Sequence, residues 1–305
     1  MNKLAIVIPA YKATFLGAAL DSIAAQTCKD FTLYIGDDCS PHKLWETVSK
    51  YTDRINIVYR RFDDNMGGTD LVGQWERCIA MTQDEPYIWL FSDDDVMEPR
   101  CVEALYKTID NDMGRHDLYH FDIRIIDTAG RLIKDAKEYP NEIDNFSFYR
   151  NKMIGGMMSM VVENIFTRKI YEKNNGFKKF DLAWGSDTAT WCVFGKRNGF
   201  VKIAGAKIMW RKSNENISPD KSLTISDRKM LALCDFYEWA SSFFREHLLS
   251  CLYVNTRSFV NRMSTYSLYM SNDVYEECVN RFCAIHHISF FARALRLTIK
   301  INRAR

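Results

Sequence analysis

The chain has 305 residues, of which 47% are hydrophobic and 26% charged, with a net charge of +2. Those proportions exclude a disordered or fibrous chain and leave ample apolar material for one large domain or two smaller ones. A charge this close to balance lacks the basic field that phosphate backbones require, so no nucleic-acid partner is expected.

The run Leu4-Ala5-Ile6-Val7-Ile8, ended by Pro9, reads as a strand buried on both faces of a parallel sheet. Residues 15–26 have helical spacing, with Leu16, Leu20, Ile23 and Ala24 on one side. Phe31-Thr32-Leu33-Tyr34-Ile35 is a second strand, closed by Gly36-Asp37-Asp38. A polar helix over 43–51 leads to a third strand over 55–59. Asn65-Met66-Gly67-Gly68 is a turn, residues 71–81 form another helix, and Tyr87-Ile88-Trp89-Leu90-Phe91 is a fourth strand. Strand alternating with helix over about a hundred residues predicts a mostly parallel sheet flanked by helices.

Beyond Pro99 the pattern changes. Residues 118–126 alternate like a sheet-edge strand, and Asp127-Thr128-Ala129-Gly130 signals a hairpin before Arg131-Leu132-Ile133. Residues 139–160 read as loop. A helix over 168–173 ends at Asn174-Asn175-Gly176, residues 184–197 read as helix, and 201–210 as strand. From Ile225 onward the chain reads as helical to its end. The expected division is 1–220, in halves 1–98 and 99–220, followed by a helical region over 221–305.

Asp93-Asp94-Asp95 directly follows the fourth strand. Carboxylates a few ångströms apart repel unless a cation neutralises them, and in oxygen-only surroundings that cation is Mg²⁺ or Mn²⁺. Such ions take phosphates as further ligands, at the strand ends where open sheets bind ligands. An acidic turn capping the next helix is the alternative, since Pro99 sits where a helix could begin. The preceding βα pattern favours the metal.

Nine cysteines, at 28, 39, 78, 101, 192, 234, 251, 278 and 283, include no Cys-x-x-Cys pair and read as reduced core thiols. The amino terminus shows no signal-peptide pattern and no segment reaches membrane-spanning length, so a cytoplasmic protein is expected.

The order of Val7-Ile8-Pro9-Ala10-Tyr11, Asp37-Asp38-Cys39-Ser40, Asn65-Met66-Gly67-Gly68, Ser92-Asp93-Asp94-Asp95, Asn175-Gly176-Phe177, Trp184-Gly185-Ser186-Asp187 and Trp210-Arg211 resembles the family 2 glycosyltransferases. The resemblance runs from Leu4 to about Ser218 and implies the GT-A fold, a Rossmann-like mostly parallel sheet. It also implies inverting transfer from a nucleotide sugar, most often a UDP-sugar, with Mn²⁺ or Mg²⁺ as cofactor. Pro9, Ala10 and Tyr11 then border the nucleobase, with Lys12 in place of the family's frequent Asn and available to the diphosphate. Asp37 and Asp38 end the second strand, and one of them, Asp38 by preference, reads the uracil ring. Asn65 lies in the following nucleotide-binding turn. Ser92 occupies the first position of the family's Asp-x-Asp motif, so Asp94 becomes the direct metal ligand. Asp93 serves the ribose or a metal-bound water, and Asp95 is structural.

By the same resemblance Asp187 is the catalytic base, although Asp also suits the first turn of a helix. Arg211 would meet the leaving diphosphate, with a closing segment over 211–218. The implied partners are the nucleotide sugar and a glycan or lipid-linked acceptor. Ile288, Phe291, Leu295 and Ile299 share one helical face, with Arg293, Arg296, Lys300 and Arg303 on the other. That composition fits peripheral contact with the inner face of the cell membrane, packing on the catalytic domain, or a homodimer contact. A non-catalytic scaffold with the same fold is the rival function.

Overall fold

The computed structural model describes residues 3–213 and 220–303. Strands β1 (Leu4–Ala10) and β2 (Phe31–Asp37) are mainly apolar and buried on both faces, as central parallel strands must be. Between them α1 (Leu16–Ala24) turns Leu16, Leu20 and Ile23 inward. Helix α2 (Leu44–Val48) precedes the more exposed β3 (Ile57–Arg61). Helix α3 (Leu71–Ile79) starts at Asp70, whose side chain accepts from the Gly73 amide at 2.8 Å. It leads to β4 (Tyr87–Leu90).

These four strands are parallel in the order β3-β2-β1-β4. Trp89 of β4 shows why the register holds. Its ring stacks on Phe121 at 5.3 Å, and its indole N–H donates to the Val162 carbonyl at 2.7 Å.

The next part of the sheet is mixed. It comprises β5 (Val96–Met97), β6 (Leu118–Ile126), β7 (Leu132–Asp135), β8 (Glu142–Ile143), β9 (Asn164–Thr167) and β10 (Phe200–Arg211). The order continues β4-β9-β6-β10-β5, with β7 on β6 and β8 on β10. Only β6 and β10 pair in parallel here. Helices α4 (Cys101–Asp112), α5 (Asn145–Ile154), α6 (Arg168–Lys173) and α7 (Ser186–Phe194) interrupt these strands. The hairpin expected at 127–130 is present: the Asp127 amide donates to the Arg131 carbonyl at 2.9 Å, and Gly130 has φ +80°.

Three sequence expectations differ from the structure. Residues 139–160 contain β8 and α5 rather than loop alone, with Phe148 and Tyr149 of α5 fully buried. Strand β9 was not anticipated at all. Strand β6 lies between β9 and β10, not at an edge. Its alternating polar residues, His120 and Asp122, are buried beneath Tyr139, whose ring lies 3.9 Å from the imidazole and whose amide donates to Asp122 at 2.8 Å.

The described chain forms two compact units. The first holds the sheet and comprises the described residues up to 145, 157–177 and 190–213. The second comprises 146–156, 178–189 and the described residues from 220 on. It contains α8 (Leu223–Phe243), α9 (Leu248–Tyr266), α10 (Asn272–Ile285) and α11 (Ala292–Arg303). Tyr237, Phe259 and Phe282 form its aromatic centre, with Phe259 and Phe282 stacked at 4.1 Å. All nine cysteines are free, and seven are buried.

Leu295 and Ile299 of α11 are buried, and α11 packs on α9 and α10, so part of the tail's apolar stripe is spent inside the unit. The Phe291 and Arg303 side chains lie outside the described residues. Among the described residues no helix is long and apolar enough to cross a membrane.

Candidate active site

The carboxyl ends of β1, β2 and β4 meet at one edge of the first unit. Pro9 and Ala10 end β1, and the Ala10 carbonyl accepts from the Asp38 amide at 2.9 Å, tying the first strand end to the second. Tyr11 follows, a residue 42% exposed. Its carbonyl accepts from the Ser40 hydroxyl at 2.6 Å, so an aromatic face is presented from a fixed backbone.

Asp37 is fully buried and accepts from the Ser40 amide at 2.8 Å, Tyr59 Oη at 2.5 Å and Arg61 at 2.9 Å. Asp38, almost as buried, accepts from the Met66 and Gly67 amides, each at 2.8 Å, and from Arg77 at 2.5 Å. A buried carboxylate without such donors would be costly. Each uses three of its roughly four acceptor positions, leaving about one for a ligand N–H. A Cβ on Gly67 would stand 2.6 Å from Asp38 Oδ2, so this turn requires glycine. Asn65 closes the turn: its side chain donates to the Asp38 carbonyl at 3.3 Å and accepts from the Gly68 amide at 2.8 Å.

The three aspartates divide their work. Asp93 Oδ2 accepts from the backbone amides of Tyr11 and Lys12, at 2.8 and 2.7 Å, which locks the end of β4 to the end of β1. Burial pushes the Asp93 carboxyl above its ordinary range, while Lys12 and those two amides pull it back. Asp94 Oδ2 accepts from the Lys12 ammonium, which also lies 3.5 Å from Asp93 Oδ1. Asp95 turns the other way, to the Ser92 hydroxyl at 2.7 Å and the Arg211 amide at 2.7 Å. Burial, then the neighbouring Asp94 charge, holds the Asp95 carboxyl well above the usual carboxylate range. Asp95 is therefore internal scaffolding.

Arg211 has a different place from the one its sequence context implied. It is buried, donating from Nε to the Asp94 carbonyl at 2.8 Å and from Nη1 to the Asp127 and Thr128 carbonyls at 3.0 and 3.2 Å. Its guanidinium also lies 4.6 Å from the centre of the Phe15 ring. These contacts fasten the aspartate loop to the β6–β7 hairpin. Of the closing segment expected over 211–218, residues 214–218 lie outside the described residues.

Asp187 belongs to the second unit, in the first turn of α7, half-buried. Its Oδ1 accepts from the Thr188 amide at 2.6 Å and the Thr188 hydroxyl at 3.2 Å. The preceding Gly185 has φ +98°, and a Cβ there would meet the Phe236 ring at 2.9 Å. Trp184 lies under the Lys229 ammonium at 4.7 Å.

Thus Pro9, Ala10, Tyr11, Asp37, Asp38, Asn65, Asp93, Asp94 and Arg211 share one hydrogen-bonded neighbourhood, and Asp187 sits in the other unit. Sequence reasoning passed over Arg61 and Arg77, the cations that neutralise Asp37 and Asp38. Their signal was a basic residue on the elements flanking the Asn65 turn.

The oxygen-only donors Asp93 and Asp94 fit a hard divalent cation that completes its shell with phosphates and water. They do not form a cage of their own: among the described residues no three His, Cys, Asp or Glu side chains group as a metal site.

A parallel four-stranded half joined to a mixed sheet, with carboxylates at the strand ends, defines a GT-A glycosyltransferase fold. The family described as "Glycosyl transferase family 2" matches residues 5–174, and the chain belongs to that family. A Staphylococcus aureus poly(ribitol-phosphate) beta-N-acetylglucosaminyltransferase, TarS, is 26% identical over 134 residues, or 43% of this chain and 22% of that protein. An uncharacterized Haemophilus influenzae glycosyltransferase is 24% identical over 169 residues, 55% of each chain. The matched stretch thus spans between about a fifth and about half the length of these relatives. The crystal structure of S. aureus TarS 1-349 in complex with UDP-GlcNAc superposes with TM-score 0.61 at 15% identity, covering 99% of this chain and 89% of that one. The mannosyltransferase PcManGT from Pyrobaculum calidifontis, in complex with GDP-Man and Mn²⁺, gives 0.57 at 9% identity, covering 99% and 87%.

Proposed function

We propose that this glycosyltransferase moves a sugar from a UDP-sugar to a hydroxyl of a glycan or lipid-linked acceptor, with inversion, in cell-surface glycan synthesis. One observation carries the reading: Asp93 and Asp94 are presented at the strand ends beside the exposed Tyr11 ring and the buried Asp37–Asp38 turn. The structural relative bound to UDP-GlcNAc and the name of the poly(ribitol-phosphate) beta-N-acetylglucosaminyltransferase relative support the donor and acceptor classes.

In this reading Tyr11 covers the base and Asp38 accepts its N–H through its remaining acceptor position. Asp94 and Asp93 would hold Mn²⁺ or Mg²⁺, which would supply neutralisation of the charge on the diphosphate. Asp187 takes the acceptor proton as the acceptor oxygen bonds to the anomeric carbon and the bond to the diphosphate oxygen breaks. Arg211 acts one step removed, by fixing the backbone of Asp94. Leu297 and Ile301, exposed beside Arg293 and Lys300 on α11, suit contact with an anionic membrane surface at its cytoplasmic side.

The test is a screen of nucleotide sugars for Mn²⁺-dependent hydrolysis or transfer. UDP-sugar turnover is expected. Turnover confined to GDP- or dTDP-sugars would overturn the uracil role of Asp38, and none at all with any donor would favour a non-catalytic scaffold.

A further inference from the structure

We propose that Lys12 is a tethered counter-ion that holds the divalent cation's place until the nucleotide diphosphate arrives. The inference rests on the metal–diphosphate reading above and adds a residue that controls entry to that site.

The geometry is specific. The Tyr11 and Lys12 amides both donate to Asp93 Oδ2, so the backbone of Lys12 is fixed against the aspartate loop. From there the ammonium hydrogen-bonds Asp94 Oδ2 and reaches within 3.5 Å of Asp93 Oδ1. It therefore bridges the same two carboxylates that would ligate the metal. The carboxylate side chains are only 5% and 8% exposed, whereas the Lys12 side chain is 26% exposed. The anchored partners are thus buried, and the cation between them has a way out.

A divalent ion and an ammonium cannot occupy one pair of oxygens, because at such separations their repulsion offsets much of the gain from either. Metal binding then requires the Lys12 side chain to swing away on its flexible four-carbon stem. Leaving Asp94 without a new anion would cost the lysine its partner. A diphosphate at the end of β1 supplies that anion, since lysine binds phosphate as a point charge. Nucleotide and metal therefore assist each other, and the coupling is reciprocal. The arrangement also offsets part of the charge on two buried carboxylates when no ligand is present.

The experiment is Mn²⁺ titration, read by the electron-spin signal of free Mn²⁺, for wild type, Lys12→Met and Lys12→Arg, each with and without UDP. Wild type should bind Mn²⁺ weakly alone and more tightly with UDP. Lys12→Met should bind Mn²⁺ alone about tenfold or more tighter than wild type, with a smaller further gain from UDP than wild type shows. Lys12→Arg should stay close to wild type without UDP. Thermal melting checks the fold, and Lys12→Gln replaces Lys12→Met if that variant misfolds. If UDP promotes Mn²⁺ binding in wild type but the neutral variants bind Mn²⁺ alone no better, the counter-ion role is wrong and the metal reading stands. If wild type binds no Mn²⁺ even with UDP, the metal reading fails and takes this inference with it.

Discussion

Adjacent residues of the same type have unlike tasks in this site. Asp94 faces a cation, Asp93 clamps two strand ends, and Asp95 is absorbed by Ser92 and the Arg211 amide. The cluster was legible in the sequence, but the division of labour depends on a partner 116 residues away. Asp187 belongs to the same scale. Of two other acids, Asp181 is held by Arg228 at 2.6 and 2.8 Å, and Asp122 is buried against Lys202 at 3.2 Å and the Tyr139 amide. Each of the two is committed to an ion pair. Asp187→Asn preserves the acceptor for the Thr188 amide, and Asn suits a helix start about as well as Asp. The variant should lose about 10²–10⁴-fold in kcat while UDP affinity and melting temperature stay near wild type. Transfer assays beside calorimetry would read this, and wild-type turnover in Asp187→Asn would remove Asp187 from the chemistry.

At the scale of elements, strands buried on both faces announced themselves as apolar runs, and β1, β2 and β4 stand close to where the pattern placed them. Strand β9 was silent because four residues, Asn164–Thr167, carry no period long enough to read; β4 and β6 define it from either side. Helix α5 lacked a clear apolar stripe, and its Phe148 and Tyr149 are buried by tertiary packing. The β6–β7 hairpin shows how an element can serve a site without touching a ligand. Its Asp127 and Thr128 carbonyls hold Arg211, and Arg211 holds the Asp94 carbonyl. Arg211→Met would strand these buried acceptors and should lower stability by about 3 kcal/mol. It should also weaken Mn²⁺-dependent UDP binding. Denaturant unfolding and calorimetry measure both, and unchanged stability with weakened UDP binding would return Arg211 to the diphosphate.

For the whole molecule, the sheet-bearing unit supplies the nucleotide side of the proposed reaction, and the second unit carries Asp187 and the basic helix α11. The amphipathic stripe of that tail was readable from spacing, but its partner was not. Burial of Leu295 and Ile299 shows that part of it completes the unit's own core. The donor sugar and acceptor depend on loop side chains from distant segments, so no local motif encodes them. The central claim, that Asp93 and Asp94 make nucleotide binding metal-dependent, is tested most directly by calorimetric titration of UDP with and without Mn²⁺. Wild type should bind UDP tightly only with Mn²⁺, and Asp94→Ala should lose that dependence while its melting temperature stays near wild type. Wild-type affinity for UDP indifferent to Mn²⁺, or Mn²⁺-dependent binding intact in Asp94→Ala, would contradict it.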